Sequence, residues 1–150
     1  MRKLRNTGEP IDIDIHLPAL VSLLEETPEL VAAYLYGSYG TPDQTTLSDV
    51  DLALLFAQGR EPRGSDELQL IGRILHTLKE DDVSVTILNR APPIFQYTVL
   101  ETGRSLICKD HVARADFIAQ VLSRYADYMI DYRAFLEEYD EALVREYGRG

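Results

Sequence analysis

Residues 37–56 read GSYGTPDQTTLSDVDLALLF. Gly37-Ser38 closes an apolar run, Leu30 to Tyr36 (LVAAYLY), and Asp49-Val50-Asp51 opens a second, Val50 to Phe56. A run that is apolar on both faces, as Leu30 to Tyr36 is, predicts a central strand, and Val50 to Phe56 reads as a second buried strand. Strand side chains alternate between faces, so Asp49 and Asp51 point the same way. Aspartate is disfavoured in a buried strand, which weighs against reading the pair as an ordinary solvated turn. A same-face carboxylate pair at a sheet end suits a hard divalent cation, and Mg²⁺ typically uses one or two carboxylates plus substrate phosphates. The spacing suggests nucleotidyl transfer.

Outward from this stretch, helices and strands alternate. Leu17-Pro18 opens a short helix over LPALVSLLEETP, with proline near its first position and Pro28 just past its end. The residues after Gly37-Ser38 are rich in turn formers, and Gln58 to Gly64 is a polar loop carrying Arg60, Pro62 and Arg63. Ser65 or Asp66 caps a helix running to about Lys79, with Leu68, Leu70, Ile71, Ile74, Leu75 and Leu78 as its apolar stripe. Val83 to Leu88 is rich in β-branched residues and predicts a third strand. Ala91-Pro92-Pro93 starts a short helix that ends near Gly103, and RSLIC (104–108) predicts a fourth strand.

From about Val112 to Tyr147 the pattern is helical. Phe117, Val121, Tyr125, Tyr128, Tyr132, Phe135, Tyr139 and Leu143 recur every three or four residues. Such a segment is longer than the usual globular helix, and a break near Ile130 to Arg133 would bring it into range. Five of the nine tyrosines lie in it. They read either as a core stripe or as a surface for another protein, since tyrosine is favoured at interfaces. Asp12-Ile13-Asp14 also contains two spaced aspartates, but no Gly-Ser turn precedes it, and an N-terminal edge strand or arm is the simpler reading. His16, His76 and His111 lack metal-ligand spacing.

A chain of 150 residues fits one domain with a proper core. It carries 25 acidic against 15 basic residues, a net charge of −10. Duplex binders gain affinity by neutralising phosphates with Lys and Arg, so this balance argues against long nucleic acid and favours a basic partner. The single cysteine, Cys108, excludes an internal disulfide and is expected to be a buried thiol. No apolar run is long enough to span a bilayer, and the N-terminus lacks a signal-peptide apolar stretch, so a cytoplasmic location is expected.

The order helix, strand, Gly-Ser turn, strand with paired aspartates, helix, strand resembles the DNA polymerase β-like nucleotidyltransferase superfamily. Within it, the chain looks like the minimal nucleotidyltransferase (MNT) antitoxins that accompany HEPN-domain toxins. Leu88-Asn89-Arg90-Ala91-Pro92-Pro93, Gln96-Tyr97 and Gly103-Arg104-Ser105-Leu106 match the LNRAPP segment and following turn of that family. Arg124-Tyr125-x-Asp127 and the long C-terminal helix look like its tail, so the likeness spans roughly residues 15 to 147.

The resemblance implies an α/β (α+β) nucleotidyltransferase fold: a small mixed sheet flanked by helices, with a long C-terminal helical segment. It implies one domain over residues 1–150, with a core of about 15–110 and the helical segment over about 112–147. It further implies an adenylyltransferase that uses ATP and Mg²⁺ to attach AMP to a tyrosine of a HEPN toxin, in a hetero-oligomer. Gly37 would let the backbone approach a phosphate, and Ser38 would offer a hydroxyl and an N–H to the nucleotide. Asp49 and Asp51 would be the catalytic carboxylates and the metal ligands, stabilising charge at the α-phosphate and helping to orient the attacking hydroxyl.

Two departures bear on catalysis. The family's Ala-Arg-Gly after Gly-Ser-Tyr is Gly40-Thr41-Pro42 here, without the arginine. The family's VDLVDLNRAPP reads VSVTILNRAPP, so Ser84 stands where a third aspartate is expected and Ile87 replaces a second acidic position. Serine is no general base at neutral pH and is a poor Mg²⁺ ligand. Asp82 lies two residues earlier on the same face, about 6.5 Å along the strand, and would need a bulge to substitute. Three functions therefore stay open: an active adenylyltransferase antitoxin, a degenerate antitoxin that neutralises by binding alone, and a small-molecule transferase of the aminoglycoside-modifying kind.

Overall fold

The computed structural model describes residues 12–44 and 49–147. Its strands are β1 (Leu30–Tyr36), β2 (Val50–Phe56), β3 (Val83–Ile87) and β4 (Arg104–Cys108). Its helices are α1 (Leu17–Glu25), α2 (Ser65–Leu78), α3 (Pro93–Thr102) and α4 (His111–Tyr147). The strands form one mixed sheet in the order β3-β2-β1-β4. β1 runs antiparallel to both neighbours, and β2 and β3 are parallel.

The apolar character of β1, and of β2 apart from Asp51, follows from cover on both sides. On one face Leu20 and Leu24 of α1 and Ile74 and Leu78 of α2 meet Ala33, Leu35, Leu52 and Leu54. On the other, Val99 of α3 and Phe117 of α4 meet Ala32, Tyr34, Ala53 and Leu55. Neither strand leaves an apolar residue facing water, so neither alternates.

Several expectations are corrected. No side chain caps α2: Gly64, at φ +58°, precedes it, and Ser65 is its first residue. Asp66 and Glu67 lie in the first turn instead, where their charge complements the positive helix end. Leu68 is exposed rather than part of the buried stripe. β3 stops at Ile87, one residue early, because Leu88–Arg90 turns into a short 3-10 helix. Cys108 is half-buried, not buried. Residues 12–16 form an arm that buries Ile13 and ends in a 3-10 turn, not an edge strand.

The LNRAPP segment has a structural task. The Asn89 side chain accepts from the Phe56 N–H at 2.9 Å and donates to the Phe56 C=O at 2.8 Å, acting as a further strand partner at the end of β2. Buried Gln96 donates to the Leu88 carbonyl at 2.9 Å, which ties α3 to the same turn. Arg90 bridges to Glu67 of α2 and donates to the Pro62 carbonyl.

α4 runs for 37 residues without a break, so the expected interruption near 130–133 is not there. Only its N-terminal part rests on α3 and β1. Val121 is fully buried, and Tyr125 stacks on Tyr97 of α3 with ring centroids 3.9 Å apart. From Tyr128 onward the stripe is exposed, which overturns its reading as core. No helix among the described residues is long and apolar enough to cross a membrane.

Asn89→Ala strips both polar groups of nearly buried Phe56 of their partner at once. It should lower unfolding free energy by about 2–4 kcal/mol, since each orphaned buried group costs about 1–3 kcal/mol. Urea unfolding checks this, and a change under 1 kcal/mol would show that water replaces the side chain.

Candidate nucleotide and metal site

The site lies at the sheet end where β1 finishes and β2 begins. Antiparallel pairing sets Tyr36 opposite Asp51, which brings Gly37 beside the Asp51 carboxylate. Gly37 sits at φ +81°, and a Cβ there would collide with Asp51 Oδ2. Glycine is therefore required twice, once for the left-handed backbone and once for the space the carboxylate fills.

The turn is braced locally. The Thr41 N–H and hydroxyl both donate to the Ser38 carbonyl, at 3.0 and 2.6 Å, and the Gly40 N–H donates to Gln44 Oε1 at 2.8 Å. Tyr39 is buried and donates to Asp14 Oδ1 at 2.8 Å while accepting from the Ile13 N–H at 2.9 Å. Burial, above all, pushes the Tyr39 phenol up to about 12, so it stays a neutral donor that pins the N-terminal arm to the turn. The described residues 37–44 form turns.

Asp49 and Asp51 are both half-buried. Burial holds the Asp51 carboxyl above the ordinary range, and the neighbouring charge of Asp49 pushes the same way. Ser84 is paired with Asp51 across the parallel β2–β3 ladder, so a hydroxyl stands beside the second aspartate. Tyr36 and Thr86 extend this neutral row, with their hydroxyls 3.3 Å apart. Asp82 lies one step before the Val50–Val83 pair, level with Asp49; it is buried, and its carbonyl accepts the Val50 N–H at 3.0 Å. Among the described residues, no three His, Cys, Asp or Glu side chains are grouped to hold a metal. The two aspartates thus form a pair, and Asp82 does not make it a triad.

A cation reaches the turn from elsewhere. Arg104, on β4 opposite Leu35, donates through Nη2 to the Tyr39 carbonyl at 3.4 Å. A Cβ at Gly40 (φ +73°) would come within 2.7 Å of that Nη2. Gly40 therefore admits a guanidinium to the loop that lacks its own arginine at Thr41. Sequence reading missed Arg104, Tyr36 and Thr86. Tyr36 adjoins Gly37 and Thr86 follows Ser84 at strand period, so both could have been found, whereas Arg104 lies 65 residues from its acceptor.

The chain is a sheet flanked by helices, with a glycine turn beside paired carboxylates at one sheet end. Residues 19–112 match the family described as "Polymerase beta, Nucleotidyltransferase", and the chain belongs to that family. Solved structures share the fold. One is a chain of a toxin–antitoxin crystallised with AMP-PNP: TM-score 0.66, 22% identity, covering 82% of this chain and 97% of that one. A second comes from the Shewanella oneidensis complex of a tri-AMPylated HEPN toxin with its MNT antitoxin: TM-score 0.65, 21% identity, covering 85% and 98%. A third belongs to the MntA–HepT toxin–antitoxin: TM-score 0.62, 20% identity, covering 83% and 97%. Among curated proteins there is no match.

Because burial and Asp49 raise the Asp51 carboxyl above its unfolded value, its ionisation opposes folding at neutral pH. The penalty fades as pH falls through the folded value toward the unfolded one, about 3.9. Asp51→Asn should raise the metal-free Tm by about 1–3 °C at pH 7, with the gap closing near pH 3.5. Calorimetry across that range is the check; a Tm lowered at pH 7 would mean the carboxylate is stabilising.

Proposed function

We propose that this chain is an MNT-type antitoxin that transfers AMP from ATP to a tyrosine of a HEPN-domain toxin. The observation that carries the reading is the Asp49–Asp51 pair set against the Gly37-Ser38 turn. The fold shared along nearly the whole length of toxin–antitoxin chains supports it.

Two same-face carboxylates, with no third metal-ligating side chain grouped with them among the described residues, suit Mg²⁺ that arrives with its nucleotide, because phosphate oxygens and water would complete the coordination. Asp49 and Asp51 would hold the ion, and when bound it would supply charge stabilisation at the α-phosphate. Gly37 lets the Asp51 carboxylate lie against the turn, and Ser38 would contribute its hydroxyl to the nucleotide. Arg104 contributes fixed positive charge beside the turn. In the transfer, the partner's tyrosine oxygen bonds to the α-phosphorus, the α–β bridging bond breaks, and pyrophosphate leaves. Ser84 cannot take the phenolic proton, which leaves to solvent.

A second reading rests on Ser84 itself. With a hydroxyl beside Asp51, the chain would bind nucleotide and partner but neutralise the toxin by association alone.

Intact-mass measurement of the HEPN partner after incubation with ATP and Mg²⁺ separates the two. Transfer predicts AMP-sized increments with wild type and none with Asp49→Asn; an unchanged partner in a tight complex would leave only the binding reading. Ser84→Asp should raise transfer by about 100-fold, the range expected of a restored acid–base group. No gain, with Asp82→Asn abolishing activity, would move the third carboxylate to Asp82.

A further inference from the structure

α4 carries one apolar stripe along its length, but the domain covers only its beginning. Val121 is fully buried and Tyr125 is stacked on Tyr97. Tyr128, Tyr132, Phe135 and Tyr139 continue the same line at alternating spacings of four and three residues, with Leu136 and Leu143 widening one edge. They stay 36–62% exposed. The rings are ordered along the helix: Tyr128 stacks on Tyr132, and Phe135 on Tyr139, with nearly parallel planes.

We infer that this stripe, from Tyr128 to Leu143, is the docking surface for the HEPN partner, and that it receives a helical face with an apolar centre and basic flanks. The inference rests on the toxin–antitoxin reading above and adds the surface and its chemistry.

Three observations commit it to that occupant. First, a stripe repeating at three and four residues is complementary to another helix, whose side chains seat in the gaps. Second, its extent is sufficient. Four aromatic side chains of about 200 Å² each, roughly half exposed, with two leucines, offer on the order of 500 Å², the larger part of the about 800 Å² a stable interface takes from each partner. Third, the charge is one-sided. Residues 126–145 carry Asp127, Asp131, Glu137, Glu138, Asp140 and Glu141 against Arg133 and Arg145. A second copy of this helix would bring like charge to the same rim, whereas Lys and Arg flanks would be attracted. The stripe is also continuous with the domain's own core through Val121 and Tyr125, so an occupant would extend existing packing.

The test uses the full chain with Tyr132→Glu and Phe135→Glu combined. Both side chains are exposed and distant in sequence from the Asp49–Asp51 site, so folding and nucleotide binding should persist, checked by circular dichroism and ATP titration. Calorimetric titration with the HEPN protein should show affinity falling by about 100-fold or more, as for loss of central aromatic anchors. Reversing charge with Glu137→Lys and Glu138→Lys should weaken binding at low salt and much less at high salt. If wild type binds the HEPN protein and the double variant binds equally well, the docking inference is overturned while the function stands. If wild type binds no HEPN protein, both fall. Light scattering that finds a wild-type dimer, dissolved by the double variant, would assign the stripe to a second copy and overturn the inference as well.

Discussion

The pairing of Tyr36 with Asp51 is the constraint on which the rest of the site depends. It places the last residue of a strand buried on both faces against the first charged residue within its neighbour. One step further, Gly37 has no side chain, and the Asp51 carboxylate occupies the space a Cβ would need. A slip of one residue in this register would turn Asp51 toward the α1–α2 face, where Leu52 and Leu54 now sit, and bury a charge among leucines. The apolar pattern of β1 and β2 therefore enforces the functional geometry. Asp51 is tolerated because it lies at the sheet end, half-buried, with its carboxyl raised above the ordinary range by burial and by Asp49.

That geometry concentrates negative charge where an anionic nucleotide would have to bind. Asp49 and Asp51 face the turn, and the chain as a whole is strongly acidic. One feature offsets this: the Arg104 guanidinium sits against Gly40 and the Tyr39 carbonyl. One guanidinium does not balance two carboxylates and a triphosphate. On the proposed reading, metal and nucleotide are thus mutually dependent ligands, each supplying the charge the other needs.

The strands were legible in the sequence because they are extreme. Leu30–Tyr36 is apolar throughout and Val50–Phe56 is apolar but for Asp51 near its start. Ser84 was legible by counting back from Leu88, and the ladder sets it beside Asp51. What escaped was whatever depends on distant chain. Asn89 looks like part of a family signature, yet its bonds are made to Phe56, 33 residues away. Arg104 reads as the start of a strand, and nothing local connects it to Gly40. For α4, periodicity reveals an apolar face but carries no information on what covers it. The same three-four spacing serves Val121, which is buried, and Phe135, which is exposed.

The split in α4 bears on how much the missing carboxylate matters. Transfer of AMP requires atoms placed to within fractions of an ångström around Asp49 and Asp51, and one hydroxyl at position 84 can undo it. Docking through an exposed aromatic stripe requires only apolar area and charge of the right sign, spread over several turns. The stripe begins where the domain's cover ends and continues beyond it, so its exposure does not depend on the state of the site. On the proposed reading, a chain built this way could lose catalytic power at Ser84 and still keep its partner, because different residues would carry the two tasks. The reverse does not follow: without docking, the partner's tyrosine would have to find the turn by diffusion alone, and an intact site would have little to act upon.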